Sequence, residues 1–165
     1  MIRRRTRNVL ILALCIFALL GSILLLCIKS WRKNSTEITV EIYGETGELL
    51  SVNKPDLKPG ESYYYTVILA CKVEGRYLIT LQFEEIKKGG LENYVNVETS
   101  CNGTVYQSGL NELLESEDGI TFICELKRSP TTNIKILYSM PLGVGNEAQG
   151  TELDFNVSLT AVRKG

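Results

Sequence analysis

The side chains that could do chemistry fall into three groups: five cysteines, a glycine-rich loop containing Gly143, Gly145 and Gly150, and the acidic stretch "ESEDG" at 115–119. Histidine is absent from all 165 residues. That absence removes the commonest general base, the commonest zinc ligand and the side chain that titrates near neutral pH. A zinc protease needs two histidines one helical turn apart with a glutamate between them, and a serine or cysteine nucleophile needs a base. A serine–lysine pair would meet the second need without histidine, but no spacing in the sequence selects one. The chain is therefore expected not to be an enzyme, with no catalytic residue, metal ligand or cofactor assigned.

The glycine-rich loop lies in "MPLGVGNEAQGTELDFNVSLTAV", residues 140–162. A phosphate-cradling loop needs a helix after it and a lysine beside a serine or threonine. Here Glu147 stands in the loop, and Leu153, Phe155, Val157, Leu159 and Ala161 alternate with polar residues after it. That period of two predicts a turn into a half-buried strand. "ESEDG" offers Glu115, Glu117 and Asp118 as hard oxygen ligands suited to calcium, yet it lacks the other ligands of a calcium loop. It reads as a solvated acidic turn. Cys15 and Cys27 lie in an apolar run, whereas Cys71, Cys101 and Cys124 lie on strand-like runs, Cys124 in phase with Ile120, Phe122 and Leu126. These three read as buried thiols; one internal disulfide is the alternative, and their spacing assigns no pair and matches no zinc site.

The elements that carry these residues are mostly extended. "EITVEIYG" turns Ile38, Val40 and Ile42 to one face, and "RYLITLQFEEI" does the same with Tyr77, Ile79, Leu81 and Phe83. Between them, "NKPDLKPGES" is a turn-rich connector, and "YYYTVILACKV" is a continuous apolar run expected to be a central strand buried on both faces. "ENYVNVETSC" and "GTVYQSG" meet at Asn102–Gly103, the strongest short hairpin signal. "LNELLES" places Leu110, Leu113 and Leu114 on one side of a helical turn, and "GITFICELK" and "TNIKILYSM" add two strands. With the closing strand, this predicts an all-β antiparallel β-sandwich or jelly roll of about eight strands.

Ahead of that domain, residues 9–28 form an uncharged apolar run of twenty, about 30 Å as a helix and enough to span a bilayer. Arg3, Arg4, Arg5 and Arg7 precede it, so the N-terminus is expected in the cytoplasm and the rest outside. "KSWRKNSTE" after it offers no small-x-small cleavage site, which favours an uncleaved signal anchor over a secreted product. The organisation is then a basic tail at 1–8, a transmembrane segment at 9–28 in contact with membrane lipid, a linker at 29–36 and an extracytoplasmic domain at 37–165. Residues 1–33 hold seven of the 18 basic residues and none of the 19 acidic ones, leaving the remainder about eight units negative. Such a surface repels nucleic acid.

In order along residues 36–163, "LKPGESYYYTVIL", "NGTVYQSGLNELL" and "MPLGVGNEAQGTELDFNVSLTAV" resemble the TasA/camelysin family, exported biofilm-matrix fibre proteins of Gram-positive bacteria. The resemblance matches Gly145, Asn146, Gln149 and Gly150 to the family's loop and Phe155 to a core position. It implies a jelly roll that polymerises when the N-terminal strand of one subunit completes the sheet of the next, with Ile38, Val40 and Ile42 on the assembly strand. The expected function is thus a membrane-anchored structural or adhesive protein of the cell-surface matrix, self-associating or binding related matrix proteins. Some members of that family are described as proteases, which a histidine-free chain does not support. Asn34, Asn102 and Asn156 head Asn-x-Ser/Thr triplets, so the alternative is a type II membrane, receptor-binding surface domain.

Overall fold

Side chains that alternate in and out need a second layer to cover the inward set, and the chain meets that need with two stacked sheets. The computed structural model describes residues 35–50, 57–87, 89–148, 151 and 153–165, and residues Thr36–Gly165 form a compact unit. One sheet has the order β1 (Ser35–Ile42), β3 (Ser62–Cys71), β8 (Thr132–Ser139), β5 (Asn96–Cys101), β6 (Thr104–Gly109). The other runs β2 (Thr46–Leu50), β9 (Asp154–Lys164), β4 (Gly75–Lys87), β7 (Ile120–Leu126). The apolar run at 9–28 and its flanks lie outside the described residues. Among the described residues no helix is long and apolar enough to cross a membrane.

The all-β sandwich expected from the alternation is what forms, with nine strands among the described residues rather than eight. The added one is β2, which lies antiparallel on β9, Thr46 opposite Ala161 and Leu50 opposite Val157. Five residues with no alternating apolar pattern carry no strand signal of their own; the neighbour β9 makes this segment a strand. The β3–β8, β8–β5, β5–β6, β4–β7 and β4–β9 ladders are also antiparallel.

β1 departs from that pattern. The Lys72 amide donates to the Ile42 carbonyl at 2.8 Å, while Thr36 Oγ1 and the Tyr63 hydroxyl are 2.7 Å apart. An antiparallel strand with Ile42 beside Lys72 would carry Thr36 away from Tyr63 by tens of ångströms, at about 3.3 Å per residue. β1 therefore runs parallel to β3, and its sheet is mixed.

The core lies between the sheets. Tyr77, Ile79, Leu81 and Phe83 of β4 and Phe155, Val157, Leu159 and Ala161 of β9 face Tyr65, Val67 and Leu69 of β3 and Ile134, Ile136 and Tyr138 of β8, all buried. Rings of Tyr65, Tyr138, Phe155 and Phe83 meet in sequence, at centroid distances of 5.7, 5.8 and 6.4 Å. Each large side chain buried this way contributes about 1.5–3 kcal/mol.

β3 corrects an expectation. Its residues alternate, with Tyr65, Val67, Leu69 and Cys71 buried and Thr66, Ile68 and Ala70 half-buried, while Tyr64 is exposed. A continuous apolar run thus has one core face and one partly wet face, because the outward side of the β1–β3–β8 sheet has no third layer over it among the described residues.

Turn chemistry fixes the connections. Asn102 (φ 49°) and Gly103 (φ 83°) form the tight β5–β6 hairpin with Cys101 opposite Thr104. The predicted helical turn is α1 (Leu110–Glu115), which buries Leu110 and Leu113 and packs Leu114 against the core.

Candidate functional site

The residues singled out for assembly, Ile38, Val40 and Ile42, sit on β1, the outermost strand of the five-stranded sheet. Alternation sends Val40 and Ile42 wholly into the core and leaves Ile38 half-buried against it, while Glu37, Thr39 and Glu41 face solvent. The apolar face of this strand is thus docked in its own subunit, on the edge of β3.

Polar contacts hold both ends of the strand. At the start, Thr36 meets the Tyr63 hydroxyl. At the end, the Ile42 carbonyl accepts from the Lys72 amide, Lys72 Nζ lies 3.1 Å from Glu41, and the Tyr43 hydroxyl donates to the same carboxylate. That Tyr43 hydrogen bond, followed by the Lys72 hydrogen bond and charge, holds the Glu41 carboxyl below its ordinary value of 4.5. The Glu41 contact is therefore fully present above pH 4.5 and is lost as pH falls through the lowered value. Both groups are about half exposed, so solvent screens the pair and it adds little stability. Burial of Val40 and Ile42 stabilises the strand far more, by about 1.5–3 kcal/mol each. Sequence reasoning passed over Tyr43, Tyr63 and Lys72; only the parallel register of β1 against β3 brings them to the ends of the strand.

After β1 the chain turns from one sheet to the other within Tyr43, Gly44 and Glu45. Gly44 sits at φ +137°, a conformation other residues rarely adopt, and Tyr43 is 64% exposed.

The loop matched to the matrix-fibre family lies elsewhere. Asn146 opens a short 3-10 turn (Asn146–Ala148), Gly145 and Asn146 are exposed, and Gln149 and Gly150 lie outside the described residues. The loop is tied down at its start. The Met140 amide donates to the Glu61 carbonyl at 3.1 Å, and the Gly60 amide donates to the Met140 carbonyl at 2.8 Å. A Cβ on Gly60 would lie 2.9 Å from Leu142 Cδ1, so the "LKPGES" turn and this loop pack on one another. Val144 and Ala148 reach down to the core. The arrangement is a cover over the start of β3 and the end of β8, with Phe155 buried beneath the sheet as expected.

Glu115 ends α1, and Glu117 and Asp118 lie on the turn after it; all three are exposed. Gln82 Nε2 donates to the Glu117 carbonyl at 3.1 Å, which ties the turn to β4 through its backbone. Among the described residues no group of three Cys, Asp or Glu side chains could hold a metal ion. A hollow of ≈ 390 Å³ on the outer face of β5, β6 and β8 is lined by Glu98 and Gln107, whose side chains already bond each other at 2.6 Å.

No protein-family model matches the chain, and no curated protein matches it. Among solved structures, it is similar to the extracellular region of zebrafish Gpr126/Adgrg6, with TM-score 0.40 and 16% identity over 79% of this chain and 15% of that one. It is also similar to Aeromonas hydrophila PliG, a periplasmic inhibitor of g-type lysozyme, with TM-score 0.35 and 16% identity over 77% of this chain and 98% of that one. A β-glucosidase from Paenibacillus barengoltzii matches with TM-score 0.24 and 10% identity over 76% of this chain. The chain spans 15% of the first and 11% of the third, and none of the three likenesses bears on function.

Proposed function

We propose that this protein is a membrane-anchored, extracytoplasmic structural or adhesive sandwich that joins copies of itself, or related matrix proteins, by exchange of β1. The reading rests on one observation: the first strand of the domain is an edge strand whose core residues, Val40 and Ile42, fill a slot along β3, with a part-buried polar contact at its start and half-exposed ones at its end. The same strand delivered by a neighbour would fill that slot with the same main-chain bonds and the same side-chain pockets. The strand begins at Ser35, so in sequence it is also the strand that follows the apolar run at 9–28 most closely. A copy held in the membrane could thus start a fibre or fasten one to the cell, in the manner the matrix-fibre resemblance implies. The acidic outer domain suits basic or cation-bridged partners and disfavours nucleic acid. No catalytic role is assigned.

The test is assembly of the full chain in detergent, followed by light scattering and electron microscopy. Concentration-dependent filaments or oligomers that vanish when residues 37–43 are deleted, or when Val40→Asp blocks the slot, are the expected result. A chain that stays monomeric under all conditions and is indifferent to the deletion would overturn strand exchange. Discrete glycosylated oligomers would point instead to the receptor-binding alternative.

A further inference from the structure

Cys101 ends β5 in one sheet, and Cys124 lies in β7 of the other. Both side chains point into the core, with exposures of 3% and 1%, and their sulfurs are 3.2 Å apart. The positions are set by rigid parts. Cys101 is held by its ladder partners Thr104 and Ile134 and by the Asn102–Gly103 hairpin, and Cys124 by pairing with Tyr77. Edge-to-face contact between Tyr106 of β6 and Phe122 of β7, at 5.3 Å, closes the same seam two residues away. We infer that Cys101 and Cys124 form the disulfide of the outer domain, a covalent staple between the two sheets, made by exchange with a small disulfide.

The third outer thiol is out of reach of Cys101. Cys71 lies on β3, separated from β5 by β8, so it stands about 10 Å from that strand, beyond disulfide reach. Its sulfur donates instead to the Val73 carbonyl at 2.9 Å, which also accepts from the Tyr77 hydroxyl.

The exchange has defined roles. Hydrogen bonding from Cys101 lowers the Cys124 thiol, against the effect of burial, while that same bond and then burial push Cys101 up. The Cys124 thiolate attacks one sulfur of the small disulfide and expels one small thiolate, which takes the Cys101 proton. The Cys101 thiolate then attacks the Cys124 sulfur and expels the second small thiolate, which takes up the proton Cys124 had released. Two protein thiols and one small disulfide become one protein disulfide and two small thiols; the protein sulfurs lose two electrons and the reagent gains them. The reagent enters while the two sulfurs already meet and the seam around them is still open to water, so the hydrogen bond between them sets which thiol attacks.

The pairing goes beyond the proposed location, and its test does not depend on it. The full chain is refolded with oxidised glutathione, alkylated in denaturant without reductant, and digested with trypsin. The sequence places Cys101 and Cys124 together in peptide 89–127, Cys71 alone in 34–72, and Cys15 with Cys27 in 8–29. Expected are peptide 89–127 unalkylated and two hydrogens lighter, and peptide 34–72 alkylated. In C101S or C124S the remaining cysteine of 89–127 must become alkylated or carry glutathione. Full alkylation of 89–127 in the wild-type chain, a bond joining it to 34–72, or glutathione retained on it would each overturn the pairing.

Discussion

Gly119 is the residue whose replacement reads most directly in stability. It adopts φ +64° in the turn between α1 and β7, and a Cβ there would lie 2.4 Å from the Leu81 carbonyl oxygen, a backbone atom held in the β4–β7 ladder. A left-handed alanine costs about 1–2 kcal/mol, and forcing a methyl against fixed backbone costs about 1–3 more. Gly119→Ala is therefore expected to lower the unfolding free energy by roughly 3 kcal/mol in urea titration. A loss under about 1 kcal/mol would mean that the turn yields. The sequence marks this glycine only as the end of an acidic turn, because the atom it must avoid belongs to Leu81, on a strand far earlier in the chain. The same limit applies to the cysteines: phase with Ile120, Phe122 and Leu126 is legible and places Cys124 inside, but its partner depends on how two sheets are stacked.

At the scale of elements, alternation is the signal that survives. Tyr77 through Phe83, Phe155 through Ala161 and Ile120 through Leu126 all face the core as their period of two requires. What alternation lacks is direction, since a strand has the same period whether it lies parallel or antiparallel to its neighbour. The parallel lie of β1, and hence the contacts from Thr36 to Tyr63 and from Ile42 to Lys72, was therefore not legible. Nor was β2, whose pairing with β9 has no counterpart in its own sequence. β1 nevertheless depends on its buried pair. Ile42 is fully buried, and Ile42→Ala removes its outer carbons and leaves a cavity, at a cost of about 2–5 kcal/mol. Hydrogen exchange should show the amides of residues 36–42 losing protection before those of β4 and β9. Uniform loss across all strands would show that β1 is no separate cooperative unit, and exchange would then require global unfolding.

The two sheets enclose buried tyrosines, and these set the behaviour of the domain in alkali. Burial, with a smaller contribution from Tyr63, pushes Tyr65 up to about 12, and burial together with Tyr65 pushes Tyr138 higher still. The sign follows from the neutral phenol being the form the core accepts. Below the ordinary value of 10, folded and unfolded chains hold these protons alike and stability is constant. Above it the unfolded chain releases them while the folded chain keeps them, so stability falls by about 1.4 kcal/mol per pH unit for each tyrosine, until the folded value is reached. Between pH 10 and 12 the two residues together should cost about 5 kcal/mol, seen as a steep drop in the urea midpoint. Tyr138→Phe should remove about half of that slope. It should also stabilise the protein at neutral pH by about 1 kcal/mol, because the Tyr138 hydroxyl is buried with no partner among the described residues. A variant that unfolds in alkali as readily as the wild type would place the sensitivity outside this aromatic layer and leave the seam between the sheets unexplained as the point where alkali opens the fold.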